Sequence, residues 1–217
     1  MIHGDNMEVM KHIKNGEIDL SCVDPPYGIG VDKMTLGNGR TKIPRGTDGW
    51  DSATPDKEYF EELMRVSKNQ IIWGGNYFDL PLVSSWIFWD KLTGLNDFSD
   101  GELAWSSFGG ALRKYTQLWL GSNAKDSDGR IHPTQKPVAL YKWLLTKYAK
   151  PGQTILDTHG GSGSDCIACH DLGYDLTWME LDKDYFDSAV KRYKDHASQA
   201  FLFEPVDEKR PEQKELI

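Results

Sequence analysis

The sequence predicts an α/β fold with a mainly parallel sheet and helices on both faces. Three observations predict it. Short apolar runs at 18–23, 70–73, 86–89, 153–157 and 176–180 have the length and content of buried strands. Stretches with helical spacing alternate with them at 6–13, 56–66, 136–148 and 182–196. The run at 153–157 enters a glycine-rich turn, Gly160, Gly161, Ser162 and Gly163, before another helical stretch. In open α/β sheets such a turn marks the ligand-binding edge.

The remaining elements follow in chain order. Ile2 and His3 make a short first strand that ends at Gly4 and Asp5. Residues 28–55 are rich in Gly, Thr, Lys and Asp without periodicity, and read as a long mobile loop. Thr54 and Pro55 offer a start to the helix that carries Tyr59, Phe60, Leu63 and Met64. Residues 102–108 and 115–120 suit a hairpin-like pair connected through Gly109 and Gly110. The helix at 136–148 stops before Lys150, Pro151 and Gly152. A single domain over 1–203 and a charged, frayed tail over 204–217 account for the chain.

Composition narrows the class. No apolar run reaches the length of a membrane span, and no signal peptide opens the chain. Three cysteines make no disulfide framework and fit a reduced, cytoplasmic setting. A formal charge of -8 opposes uniform nucleic-acid binding, yet the cations are grouped. Lys33, Arg40, Lys42 and Arg45 share one loop, and Arg113, Lys114, Lys125, Arg130 and Lys136 a second stretch. If both loops flank one cleft, a basic nucleic-acid face sits on an acidic body. Cys166, Cys169 and His170 spell a haem-attachment pattern, but they fall on one face of a predicted helix and suit packing. His132, His159 and His196 are too scattered for a metal site.

Asp24, Pro25, Pro26 and Tyr27 close the strand at 18–23. Two prolines stiffen the turn and remove its backbone donors. A carboxylate, the proline carbonyls and a flat aromatic face remain. Such a site suits an exocyclic amine on a flat ring. Asp157 closes the strand before the glycine turn, where Thr158, His159, Gly161, Ser162 and Gly163 bring backbone close to a ligand. Glu180 ends the next strand at the position of a ribose-binding acid.

These motifs resemble the amino-group DNA methyltransferases that use S-adenosylmethionine. Asp24 to Tyr27 matches the catalytic motif of that family, and the segment from Asp157 to Gly163 matches the cofactor loop. Their order is similar to the beta-type permutation. His132, Pro133, Thr134, Gln135, Lys136 and Pro137 match a third motif, and Ile2 to Asp5 a fourth. The resemblance covers about residues 1–195. It implies a Rossmann-like methyltransferase fold with a seven-stranded sheet. It further implies that Thr134 and Lys136 help hold the methionine end of the cofactor, and that Asp5 lies near its adenine. Thr158 and His159 stand where the family carries Pro-Phe. The implied reaction is methyl transfer to N6 of a flipped adenine in DNA, without a metal. N4-cytosine, RNA adenine and a catalytically silent cofactor-binding subunit are the alternatives. The family suggests a bacterial or phage setting. Residues 109–131 are short for target recognition, which leaves a homodimer open.

Overall fold

The computed structural model describes residues 1–30, 49–94, 99–119 and 130–199. One eight-stranded sheet organises them. Its strands are β1 (Ile2–His3), β2 (Ile18–Val23), β3 (Ser67–Trp73), β4 (Trp86–Asp90), β5 (Gly101–Ser106), β6 (Arg113–Thr116), β7 (Thr154–Asp157) and β8 (Asp175–Glu180). The order across the sheet is β1-β8-β7-β2-β3-β5-β4-β6. Only β5 runs against its neighbours β3 and β4; every other pairing is parallel. The helices are α1 (Asn6–Met10), α2 (Lys57–Val66), α3 (Val138–Tyr148), α4 (Ser164–Leu172) and α5 (Lys183–Ala197).

Both faces of the sheet are covered, and the strands show this by alternation. Leu20 and Cys22, Ile71 and Trp73, and Ile155 pack with Leu140 and Leu144 of α3 and Cys169 of α4. Val23, Ile72 and Leu156 point the other way, onto Met10 of α1 and Tyr59, Phe60 and Leu63 of α2. As a central strand β2 is buried on both faces, with Leu20, Cys22 and Val23 apolar and Ser21 the one buried polar residue among them. Cys166 and Cys169 are buried free thiols in this packing.

The helix ends follow local chemistry. Asp56 caps α2 by accepting from the Tyr59 N–H, and Asp182 caps α5 by accepting from Asp184 and Tyr185. Helix α3 begins at Val138 rather than at residue 136. Pro137, the N-cap, disfavours the helical conformation in the residue before it, so Lys136 lies ahead of the helix. Helix α1 stops at Met10, short of the expected residue 13. Arg65 takes the carbonyls of Met10 and Ile13 beyond its end.

Two expectations are corrected. The segments at 102–108 and 115–120 do not pair as a hairpin, because β4 lies between β5 and β6. β5 returns antiparallel into the gap between β3 and β4, and β6 then adds parallel to the outer edge of β4. That edge strand also brings the sheet to eight strands rather than seven. The loop expected over 28–55 is described only at its two limbs, and the tail over 204–217 lies outside the described residues.

Candidate active site

β2 and β7 are parallel neighbours, with Leu20 opposite Ile155 and Ser21 opposite Leu156. Asp24 and the turn after Asp157 therefore emerge side by side at the carboxyl edge of the sheet, where open α/β sheets bind ligands. At the first of these, the Tyr27 hydroxyl donates to Oδ1 of Asp24 at 2.7 Å. Lys136 donates to Oδ2 of the same carboxylate at 2.5 Å. Burial pushes Asp24 above the ordinary carboxylate range, and Lys136 opposes that shift. The Lys136 ammonium also meets Glu102 at 3.0 Å, and Lys91 meets Glu102 at 2.5 Å. Burial alone would raise Glu102, but the two lysines outweigh it and hold its carboxyl at about 2. Tyr77 lies parallel to the Tyr27 ring, with centroids 5.0 Å apart. The far end of this turn is fixed by Asp51, whose side chain accepts from the Gly28 N–H at 2.9 Å.

The glycine turn forms the second half. Gly161 and Gly163 have φ of +50° and +66°, which favour glycine. Glu180 accepts from the Gly161 N–H at 2.8 Å and from the Asp182 N–H at 2.7 Å, so this acid braces the turn. Asp157 is buried and accepts from the His159 N–H at 2.9 Å. Burial, and then the neighbouring Asp165, push Asp157 well above the usual range; burial pushes Asp165 up to about 6. His159 is held by Asn6, which sits 3.2 Å from its Nε2, and by Thr158, whose hydroxyl is 3.0 Å from its Nδ1. The Tyr59 hydroxyl completes this group at 2.7 Å from the Thr158 hydroxyl. Burial lowers His159 to about 4, so the ring is neutral at pH 7. An open cleft runs between the two halves, lined by Pro26, Asn6, Met7, Pro55, Asp56 and His159 among others.

The DNA methylase family of N6 and N4 amino-methyltransferases matches residues 87–191, a span that includes Glu102, Lys136 and the whole glycine turn. Over that span, just under half of the chain, the sequence is similar to the DNA methylase family. The chain is also similar to the type II methyltransferase M.HinfI of Haemophilus influenzae, 24% identical over 90% of this chain and 68% of its own length. The solved M1.HpyAVI–SAM complex shares the fold with a TM-score of 0.56 at 19% identity, covering 88% of this chain and 96% of that one. The PvuII DNA methyltransferase, described as cytosine-N4-specific, has a TM-score of 0.58 at 13% identity, covering 91% and 89%.

In this chain the expected residues fall in different places. Asp24, Pro25, Pro26, Tyr27, Lys136, Asp157, His159, Gly161, Ser162, Gly163 and Glu180 gather at the same edge of the sheet. Asp5 sits at the end of β1 and caps α1 by accepting from the Met7 N–H. Thr134 turns its hydroxyl to Nδ1 of His132, whose ring borders Gly161. Arg130 donates to the His132 carbonyl, close to the glycine turn. Arg113 and Lys114, by contrast, open the edge strand β6, four places across the sheet from β2 and about 19 Å away at the usual strand spacing. Lys114 there pairs with Asp90. Lys33, Arg40, Lys42, Arg45 and Lys125 lie outside the described residues.

Sequence reasoning missed Lys91, Glu102, Asp165 and Arg192. Arg192 is buried and donates to the Ser162 carbonyl at 3.0 Å and the Ser164 hydroxyl at 2.9 Å. It follows Tyr185 and Ala189 on the buried face of α5 at helical spacing, a signal that was present in the sequence. Glu102 carried no such signal, because nothing local distinguishes it from a solvated strand-end acid.

Proposed function

We propose that this chain transfers a methyl group from S-adenosylmethionine to the exocyclic N6 of adenine in DNA. The observation that carries the proposal is the adjacency of β2 and β7, which brings Asp24 to Tyr27 beside the glycine turn. The residues present fit the cofactor. Asn6, Asp56 and His159 offer polar atoms around the apolar surfaces of Met7, Pro26 and Pro55, a lining suited to an adenosine. Glu180 and Asp5 are the acids available to its ribose and its adenine. Bound S-adenosylmethionine supplies a methyl group activated by a sulfonium centre.

The protein residues supply the rest. Asp24 and the Pro25 carbonyl accept the two N–H groups of the target amine. This favours a pyramidal nitrogen with an available lone pair, and the contacts strengthen as nitrogen gains positive charge. Tyr77 already lies parallel to the Tyr27 ring, so a base stacking on Tyr27 would have to take the place of Tyr77 on that face. A paired base cannot reach the turn, so the target must leave the duplex stack at a cost of a few kcal/mol. Asp24, rather than a serine, at the head of the motif favours adenine within the resemblance.

The test is methyl transfer from labelled S-adenosylmethionine to unmethylated DNA, with nucleoside analysis. N6-methyladenine formed by the wild type, and reduced at least about 100-fold in Asp24→Ala, is the expected result. N4-methylcytosine would redirect the substrate, and no product despite cofactor binding would leave the silent-subunit alternative standing.

A further inference from the structure

Four charged residues from four separate segments meet beside the target turn: Asp24 after β2, Lys136 before α3, Glu102 in β5 and Lys91 after β4. Their charges alternate along the chain of contacts, so each cation lies against an anion. The Lys136 side chain is only 2% exposed. Its ammonium has three donors. Three acceptors surround it: Oδ2 of Asp24 at 2.5 Å, Oε2 of Glu102 at 3.0 Å and the Tyr27 hydroxyl at 3.3 Å. Trp73 and Tyr27 also flank it, with ring centroids at 5.2 and 5.7 Å. No donor is left over for a ligand carboxylate.

We propose that Lys136 and Glu102 are positioning residues for the transfer: Lys136 holds the Asp24 carboxylate charged and in one orientation, and Glu102, tied to Lys91, fixes the lysine there. Asp24 enters as the acceptor of the target amine, so the inference rests on the function proposed above. The electrostatics give it direction. Tyr27, Lys136, Tyr141, Glu102, Asp157 and Cys22 are ionisable groups around Asp24. Without Lys136, two buried carboxylates would face each other across the Tyr27 hydroxyl, which lies 2.7 Å from Asp24 and 3.4 Å from Glu102. Such a pair takes up a proton. A protonated Asp24 is a poorer acceptor for the amine. Glu102 acts on Asp24 with the opposite sign to Lys136, because its negative charge favours protonation of the neighbour.

The experiment measures kcat and KM for wild type, Lys136→Met, Lys136→Arg and Glu102→Gln from about pH 5 to pH 9, with S-adenosylhomocysteine binding by calorimetry. An inactive wild type would sink the proposed function itself, before any variant is compared. In Lys136→Met, kcat near neutral pH should fall about 100-fold while the Kd for S-adenosylhomocysteine stays within about threefold. The acidic limb of its kcat profile should move up by about one unit or more, and Lys136→Arg should recover part of the loss. In Glu102→Gln the limb should move down. A merely structural role would not shift the two limbs in opposite directions. The proposal is overturned if Lys136→Met weakens S-adenosylhomocysteine binding more than about tenfold with an unmoved limb, which would assign the lysine to the cofactor. Should Lys136→Met fail to fold, Glu102→Gln decides: a lowered limb supports the proposal and an unmoved limb overturns it.

Discussion

At Gly160 a methyl group would lie 1.8 Å from the Trp178 ring, so the glycine turn can sit on the sheet only without a side chain there. Gly160→Ala should cost about 2–3 kcal/mol, because a buried indole has to move. Thermal denaturation checks this, and a melting temperature equal to wild type would show that the turn relaxes freely. The glycines of the turn were legible in the sequence; which of them is sterically required was not, because Trp178 reaches Gly160 through the pairing of β7 with β8. Asp165 is the second residue-scale case. It stands in the first turn of α4 beside Asp157, 4% exposed, and burial raises its folded value to about 6. A carboxyl raised in the folded state stabilises below its unfolded value near 3.8 and loses that contribution as pH rises through about 6. Asp165→Asn should therefore raise stability at pH 7.5 by about 1–3 kcal/mol, and the gain should vanish near pH 4. A gain that is the same at both pH values would refute the titration.

At the scale of elements, α5 fastens the cofactor turn from outside. Its Arg192 binds the Ser162 carbonyl and the Ser164 hydroxyl, so one helix and one turn share a buried cation. Replacing Arg192 by Met leaves those acceptors unpaired and should cost about 2–4 kcal/mol. It should also loosen the turn, read as faster amide exchange at Gly161 and Gly163. Unchanged exchange would mean that the turn holds itself. Where local chemistry decides, the elements were legible: β2 from its short apolar run, α2 from the spacing of Tyr59, Phe60, Leu63 and Met64, and α5 as the last helix; their caps at Asp56 and Asp182 came from the structure. Where pairing decides, they were not. The Gly109 and Gly110 connection suggested a hairpin, but β4 offers both of its edges, and β5 and β6 take one each. A strand's partner is chosen by the whole sheet, and a two-glycine turn cannot overrule it.

Across the whole molecule, burial of neutral rings should set the acid limit of stability. His132 is lowered to about 3 and His159 to about 4, both first by burial. The unfolded chain protonates these rings as pH falls below 6.5 while the folded chain resists, so stability is lost on acidification. His159→Phe should remove one share of that loss, about 1–2 kcal/mol at pH 5 relative to pH 7. Denaturant titrations at the two pH values test it, and an identical pH slope in the variant would exclude His159 as a contributor. The sequence by itself determined the class of fold, and it proposed Asp24 to Tyr27 and Asp157 to Gly163, which the fold places at one edge of the sheet, as the candidate site. Those features are written in local patterns: apolar runs, double proline, glycine turns. Only the tertiary structure decided that Lys136 faces Asp24, that Glu102 and Lys91 complete the charge ladder, and that Arg113 and Lys114 stand on a distant edge. The physical reason is that a long charged side chain has no local preference for its partner. The order of strands brings Asp24, Glu102 and Lys136 together, and that order is fixed by the burial of both sheet faces at once.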